Sequence, residues 1–100
     1  MSAVDHPRHG LNELVHSPVR FSIMAALAHA EMLDFKDIRD AIQVSDSVLS
    51  KQLSLLEKAG YVRIKKSFAG KMPRTSASLT PDGREAWAEH LRVLREIAGG

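Results

Sequence analysis

Two groups of side chains in this sequence have types and spacing that could do chemistry. The first is Asp46, Ser47, Ser50, Lys51 and Ser54. At the angular step of a helix they fall on one side, giving short hydroxyls, one long cation and one carboxylate on a single stripe. The second is Arg63, Lys65, Lys66, Lys71 and Arg74, five cations with no acid across residues 61–75. Serine hydroxyls and a lysine suit phosphate oxygens and the acceptor edges of bases, and a carboxylate suits the amino group of cytosine. A local cation cluster suits a nucleic-acid backbone.

Histidines raise a different question, because there are five. His6 and His9 lie in a polar N-terminal stretch, and His16 and His29 end helices, where a cation suits the helix dipole. His90 falls inside an apolar arc. It is expected to hydrogen-bond across a dimer interface, the alternative being a sensor of pH, ligand or metal. No second histidine or carboxylate stands at ligand spacing on that face, so neither metal nor cofactor is expected. The absence of cysteine excludes disulfides, thiolate metal sites and thiol catalysis. No Gly-x-Ser-x-Gly elbow, phosphate-binding loop or His-Glu-x-x-His occurs, so no enzymatic activity is expected.

The charge balance supports the second group. The chain of 100 residues has fourteen cations and twelve acids, a net of +2. Outside residues 61–75, nine cations face twelve acids, a net of −3. Basicity is therefore local, as on a phosphate-facing surface. The length fits one small domain, which buries roughly two-thirds of its unfolded surface and has modest stability alone. No apolar run is long enough to span a membrane, and the start, MSAVDHPRHGLNELV, lacks a secretory core, so a cytoplasmic location is expected.

These residues need elements to hold them. Residues 1–10 read as a flexible N-terminus, and Leu11, Leu14 and Val15 suggest a short helix ending near His16. Ser17-Pro18 caps a helix over residues 18–29 that is apolar on two faces and so needs two partners. Asp34 is expected to cap a short helix with Phe35, Ile38, Ala41 and Ile42 inward. Gln43-Val44 turns the chain, and Ser45 caps the helix that carries the first group. On that helix Val48, Leu49, Leu53, Leu55, Leu56 and Ala59 form the apolar arc, with Gly60 as the stop. Val62 and Ile64 alternate with Arg63 and Lys65 as a half-buried strand. The stretch SFAGKMPR is expected as a long hairpin tip, leading to a second strand around Ala77 and Leu79. Thr80-Pro81-Asp82 opens a last helix whose apolar arc includes Trp87, His90, Leu91, Leu94 and Ile97.

A short helix, a turn and a second helix give the helix-turn-helix layout, and a cationic hairpin after it completes a winged-helix plan. The expected fold class is mostly α with a small β-hairpin (α+β). The winged helix-turn-helix occupies residues 11–80 and an added dimerisation helix residues 81–100. The runs HSPVRFSIMAAL, DFKDIRDAI, SDSVLSKQLSLLEKAGYV, KKSFAGKMPRT and LTPDGREA resemble the winged-helix transcriptional regulators of bacteria and archaea. They are similar to the MarR and ArsR families, and most closely to a small winged-helix group between them. The resemblance implies that Asp46, Ser47, Ser50, Lys51 and Ser54 read bases, that the five wing cations grip the backbone, and that the last helix pairs two subunits. Two positions depart from the pattern. Gln43 stands where relatives often have glycine, which costs roughly 1 kcal/mol if its φ is positive. Gln52 stands where relatives commonly have histidine, and its place in the apolar arc makes it an inward hydrogen-bonding residue.

The last helix argues for a homodimer, with Leu11, Leu14, Val15, Phe21, Trp87, His90, Leu91, Leu94 and Ile97 as the expected interface. A two-fold dimer meets half-sites about 34 Å apart, so the expected partner is double-stranded DNA with a palindromic operator. The expected function is transcriptional regulation, as a repressor. A winged helix used for protein–protein assembly without DNA is the alternative. A third reading adds an unidentified small-molecule effector, held near Phe21, Met24, Trp87 and His90.

Overall fold

The computed structural model describes residues 6–99. Five α-helices and three strands follow a 3-10 turn over Pro7–Gly10. In chain order they are α1 (Glu13–His16), α2 (Pro18–Ala28), β1 (Leu33–Asp34), α3 (Phe35–Ile42), α4 (Asp46–Lys58), β2 (Val62–Ala69), β3 (Met72–Leu79) and α5 (Pro81–Gly99). The strands form one antiparallel sheet in the order β1-β3-β2. Two helices joined by a short turn and followed by a β-hairpin make a winged helix-turn-helix, mostly helical with a small sheet.

One core holds it. Val15, Ile23, Met24, Leu27, Ile38, Leu49, Leu53 and Leu56 are closed from solvent, and Val62, Ala77 and Leu79 extend the cluster onto the sheet. Each helix places an apolar stripe into that cluster, which supplies the stability that short isolated helices lack. Asn12 caps α1 by accepting from the Val15 N–H, and Ser45 caps α4 by accepting from the Val48 N–H. Ser17 and Asp34 stand at the starts of α2 and α3, but neither makes the expected side-chain cap, and Ala41, expected inward, is exposed. Gln43 does close α3 in the left-handed region, at φ 57°, with its N–H on the Arg39 carbonyl at 2.8 Å.

The junction between α4 and α5 explains the AGYV and LTPDG runs. Thr80 sends its hydroxyl to the Gly60 carbonyl at 2.6 Å and its N–H to the Tyr61 carbonyl at 3.0 Å. The same hydroxyl accepts from the Gly83 N–H at 2.9 Å, capping α5. Gly83 lies so close to the Tyr61 carbonyl that a methyl there would collide with it. Glycine is required by contact, so the first turn of α5 can press on the chain leaving α4.

Four expectations change. The tip SFAGKMPR is strand almost throughout: β2 and β3 pair up to Ala69 and Met72, leaving a two-residue turn at Gly70-Lys71. Gly70, at φ 65°, takes the first turn position, where a type II′ hairpin places glycine. A third strand, β1, pairs Leu33 with Ala77 and Asp34 with Ser76. Residues 7–10 of the expected flexible N-terminus are instead a 3-10 turn set against α5, with Gly10 beside Val93; residues 1–5 lie outside the described ones. Finally, Val48 and Leu55 lie on the exposed side of α4 and Ala59 is exposed too, so the buried stripe is narrowed to Leu49, Leu53 and Leu56.

Candidate nucleic-acid interface

Helix α4 and the β2–β3 hairpin stand side by side, and between them runs a cleft of about 1050 Å³. Ser50, Ser54 and Glu57 line its helical wall, and Lys66 and Arg74 line the hairpin wall. Leu49, Leu53 and Leu56 tie α4 to the core. Asp46, Ser47, Ser50, Lys51 and Ser54 are all exposed, as their stripe requires. No side chain bulkier than lysine stands on that stripe, so a flat partner can come close to the helix backbone.

The first turn is partly committed within the chain. Asp46 accepts from Arg39 Nη1 at 2.9 Å, an ion pair between α3 and α4. Its hydrogen bonds to Asp46, and then to Asp40, hold the Arg39 guanidinium pKa above its ordinary value. The Ser47 hydroxyl lies 3.2 Å from that of the capping Ser45. Gln52 is half-buried and accepts from Arg20 Nη1 at 2.6 Å, while Arg20 Nε donates to the Leu14 carbonyl at 2.5 Å. Gln52 is thus the inward hydrogen-bonding residue that the helical wheel implies.

The wing cations do not share one face. Strand alternation and register put Lys66, paired with Thr75, on the face of Val62 and Ile64 that meets the core. Arg63 and Lys65, paired with Ser78 and Ser76, belong to the other face, and so does Arg74, opposite Ser67. Lys71 is in the turn. Arg74 Nε lies 3.5 Å from Asp34 Oδ2, so β1 holds the arginine at the cleft edge and answers part of its charge.

Sequence reasoning missed three residues here. Lys36, in the first turn of α3, lines the cleft beside the wing cations. The only signal was its place outside the apolar stripe. Val48 is 40% exposed in the first turn of α4, where an isopropyl group could meet a thymine methyl. Arg20 looked like an ordinary polar residue on an apolar helix, yet it joins α1, α2 and α4.

Away from the cleft, α5 packs back on its own chain. Trp87 packs against Phe21 at a tilt of 57° with ring centroids 4.9 Å apart, and Phe21 also meets the His90 ring edge-on at 5.8 Å. His90 Nε2 lies 3.2 Å from His16 Nδ1, and His90 Nδ1 accepts from the Asn12 backbone N–H at 3.2 Å. Two expected interface residues are therefore corrected. Val15 and His90 expose no surface to a partner, and His90 finds its hydrogen bonds within its own chain. Leu11, Leu14, Phe21, Trp87, Leu91 and Leu94 are half-buried and Ile97 is exposed, so these keep surface to offer. The rings of Phe21, Trp87 and His90 fill the space expected for an effector, and a ligand there must part them.

Comparison with known proteins places this geometry. A family model described as a winged helix DNA-binding domain matches residues 19–98. An uncharacterised protein, MJ0432, of Methanocaldococcus jannaschii is 27% identical over 86 residues, covering 86% of this chain and 94% of its own length. The transcriptional regulator homologue protein of Pyrococcus horikoshii OT3 superposes with a TM-score of 0.84 at 27% identity, over 89% of this chain and 88% of that one. NadR, solved in complex with 4-hydroxyphenylacetate, gives a TM-score of 0.75 at 26% identity, over 93% of this chain and 65% of that one.

Proposed function

The chain belongs to the winged helix DNA-binding domain family, and from that premise we propose a homodimeric, sequence-specific transcriptional regulator that acts as a repressor. Helix α4 enters the major groove with Ser47, Val48, Ser50, Lys51 and Ser54 toward base edges. Lys36, Lys65, Lys66, Lys71 and Arg74 meet phosphates on either side, with Arg63 further up the wing. The observation that carries this reading is the cleft itself. It sets a small-residue helix face beside a cationic hairpin, so one rigid body can meet both bases and backbone. With no arginine or asparagine on the exposed stripe of α4, affinity comes mainly from the wing and α4 discriminates modestly.

An effector is compatible with this reading. NadR was solved with 4-hydroxyphenylacetate, and a small aromatic acid of that kind could part the Phe21, Trp87 and His90 rings here. Movement of α5 would then change the spacing of two recognition helices.

The test is duplex binding measured over a range of salt, followed by selection of sites from random duplexes. Log affinity should fall linearly with log salt, by about 0.9 for each phosphate contact. Lys71→Ala combined with Arg74→Ala should weaken all sequences alike and reduce the slope by about 0.9 for each contact removed. Salt-insensitive behaviour on every duplex would sink the reading and favour a winged helix that assembles proteins.

A further inference from the structure

Helix α4 is held to the body by leucines and by one polar clamp. Leu49, Leu53 and Leu56 hold it by apolar burial, which has no direction and tolerates rotation of a helix about its own axis. Gln52 is held differently. Its Oε1 accepts from Arg20 Nη1 at 2.6 Å, while Arg20 Nε donates to the Leu14 carbonyl at 2.5 Å. One guanidinium therefore holds α4 on one side and α1 on the other.

A guanidinium is planar and its donors form a fixed fork, so two acceptors bound to it are fixed relative to each other. Arg20 rises from α2, a helix anchored in the core by the closed side chains of Ile23, Met24 and Leu27. Both acceptors are uncharged, a backbone carbonyl and an amide, so the fork's geometry matters here rather than an ion pair. Gln52 stands next to Lys51 and two positions from Ser50 and Ser54, which are exposed on the stripe. Side-chain tips on a helix lie about 5–6 Å from its axis, so a rotation of about 20° carries them about 2 Å. Hydrogen bonds tolerate only roughly 0.5 Å in length. The rotation of α4 thus decides which base edges its short side chains can meet.

We infer that Arg20 is a positioning residue for sequence recognition: through Gln52 it sets the rotation of α4, and it acts without touching DNA. This rests on the reading of the protein as a duplex-binding regulator. Leu14, whose carbonyl the same guanidinium holds, is half-buried and belongs to the surface proposed for a second copy. The clamp therefore refers the rotation of α4 to the subunit contact as well as to the core.

The test compares affinity for the selected duplex with affinity for duplexes changed at one base pair under α4, each over a range of salt. Arg20→Met keeps an apolar stem and loses both donors. The ratio of selected to changed duplex should fall about tenfold, the discrimination carried by one good base contact. The salt slope should stay as it is, because Arg20 neutralises no phosphate. Arg20→Lys keeps the charge but not the fork, and should lose the ratio as Arg20→Met does. Gln52→Met tests the same bond from α4 and carries the test if Arg20→Met does not fold, as judged by circular dichroism. Combined with Arg20→Met it should cost no more than either substitution alone, since both remove one interaction. Sequence preference kept by Arg20→Met and Gln52→Met would overturn the inference and leave DNA binding standing, whatever the loss of stability. A ratio restored by Arg20→Lys, or a slope lowered by about 0.9 in Arg20→Met, would overturn it too and make Arg20 a phosphate contact. Failure of the wild-type protein to bind any duplex would overturn both readings.

Discussion

Asn12 presents a backbone N–H to His90, and that bond runs in one direction only. Nδ1 of His90 must accept, so the ring proton sits on Nε2 and donates to Nδ1 of His16 at 3.2 Å. A second proton on His90 sets its Nδ1–H against the Asn12 N–H. Burial first, and the neighbouring His16 second, hold His90 below its ordinary value of about 6.5. In mild acid the unfolded chain then binds more protons than the folded one, so stability rises with pH. It is full above about 6.5 and falls as pH drops from there toward the lowered folded value. Urea unfolding should show a lower midpoint at about pH 5.5 than at about pH 7.5, and His90→Asn, whose amide oxygen can still accept from Asn12, should narrow the gap. An unchanged gap in the variant would place the acid sensitivity elsewhere. The sequence showed that His90 was unusual, because a titratable group stood in an apolar arc. It could not show His16, 74 positions away, as the partner.

At the scale of elements, the helices were legible and the sheet was less so. Apolar spacing marks α2 to α5, and caps mark α4 and α5, because helical signals are local: Ser45 and Thr80 each accept from a backbone N–H three residues on. The wing was misread because glycine and proline signal a loop. Pro73 lies past the reach of β1, where β3 is an edge on one side and tolerates proline. Strand β1 is two residues long and cannot show alternation. Its effect reaches the interface through Asp34, which fixes Arg74. The α3–α4 unit holds a second such pair, Arg39 with Asp46, which engages a cation beside the first turn of α4. If α4 enters the groove as proposed, Asp46 keeps Arg39 from the nearby phosphates. Asp46→Asn should release Arg39 toward phosphate and raise affinity for unrelated duplexes. It should also steepen the salt slope by up to about 0.9, and compress the ratio of specific to nonspecific binding. A flat response in nonspecific affinity would mean that Asp46 acts only on bases.

The whole molecule is long for its size, 60 × 25 × 21 Å, with a radius of gyration of 15.3 Å. A compact chain of this length comes to about 13 Å. The end of α5 contributes little to the core, since residues 95–99 are all exposed. Buried positions on that helix are Gly83, His90 and Val93; beyond them Leu94 is half-buried and Ile97 is 38% exposed. The sequence offered one wide apolar arc and left open which part of it the chain covers itself. The fold divides it: the arc up to Val93 packs against α1, α2 and the Pro7–Gly10 turn, leaving Leu91, Leu94 and Ile97 with surface to spare. A second copy meeting that surface would bring two α5 helices together and set two α4 helices on one side, a helical turn of DNA apart. Sedimentation equilibrium at micromolar concentration should give a dimer. Leu94→Glu combined with Ile97→Glu should give a monomer with unchanged circular dichroism, because neither side chain is needed by the core. That monomer should keep the salt dependence of a single half-site and lose the tight binding of the palindrome, since linking two sites multiplies affinity without any new contact. A double variant that stays dimeric would move the interface to the exposed parts of α1 and α2, around Leu11, Leu14 and Phe21.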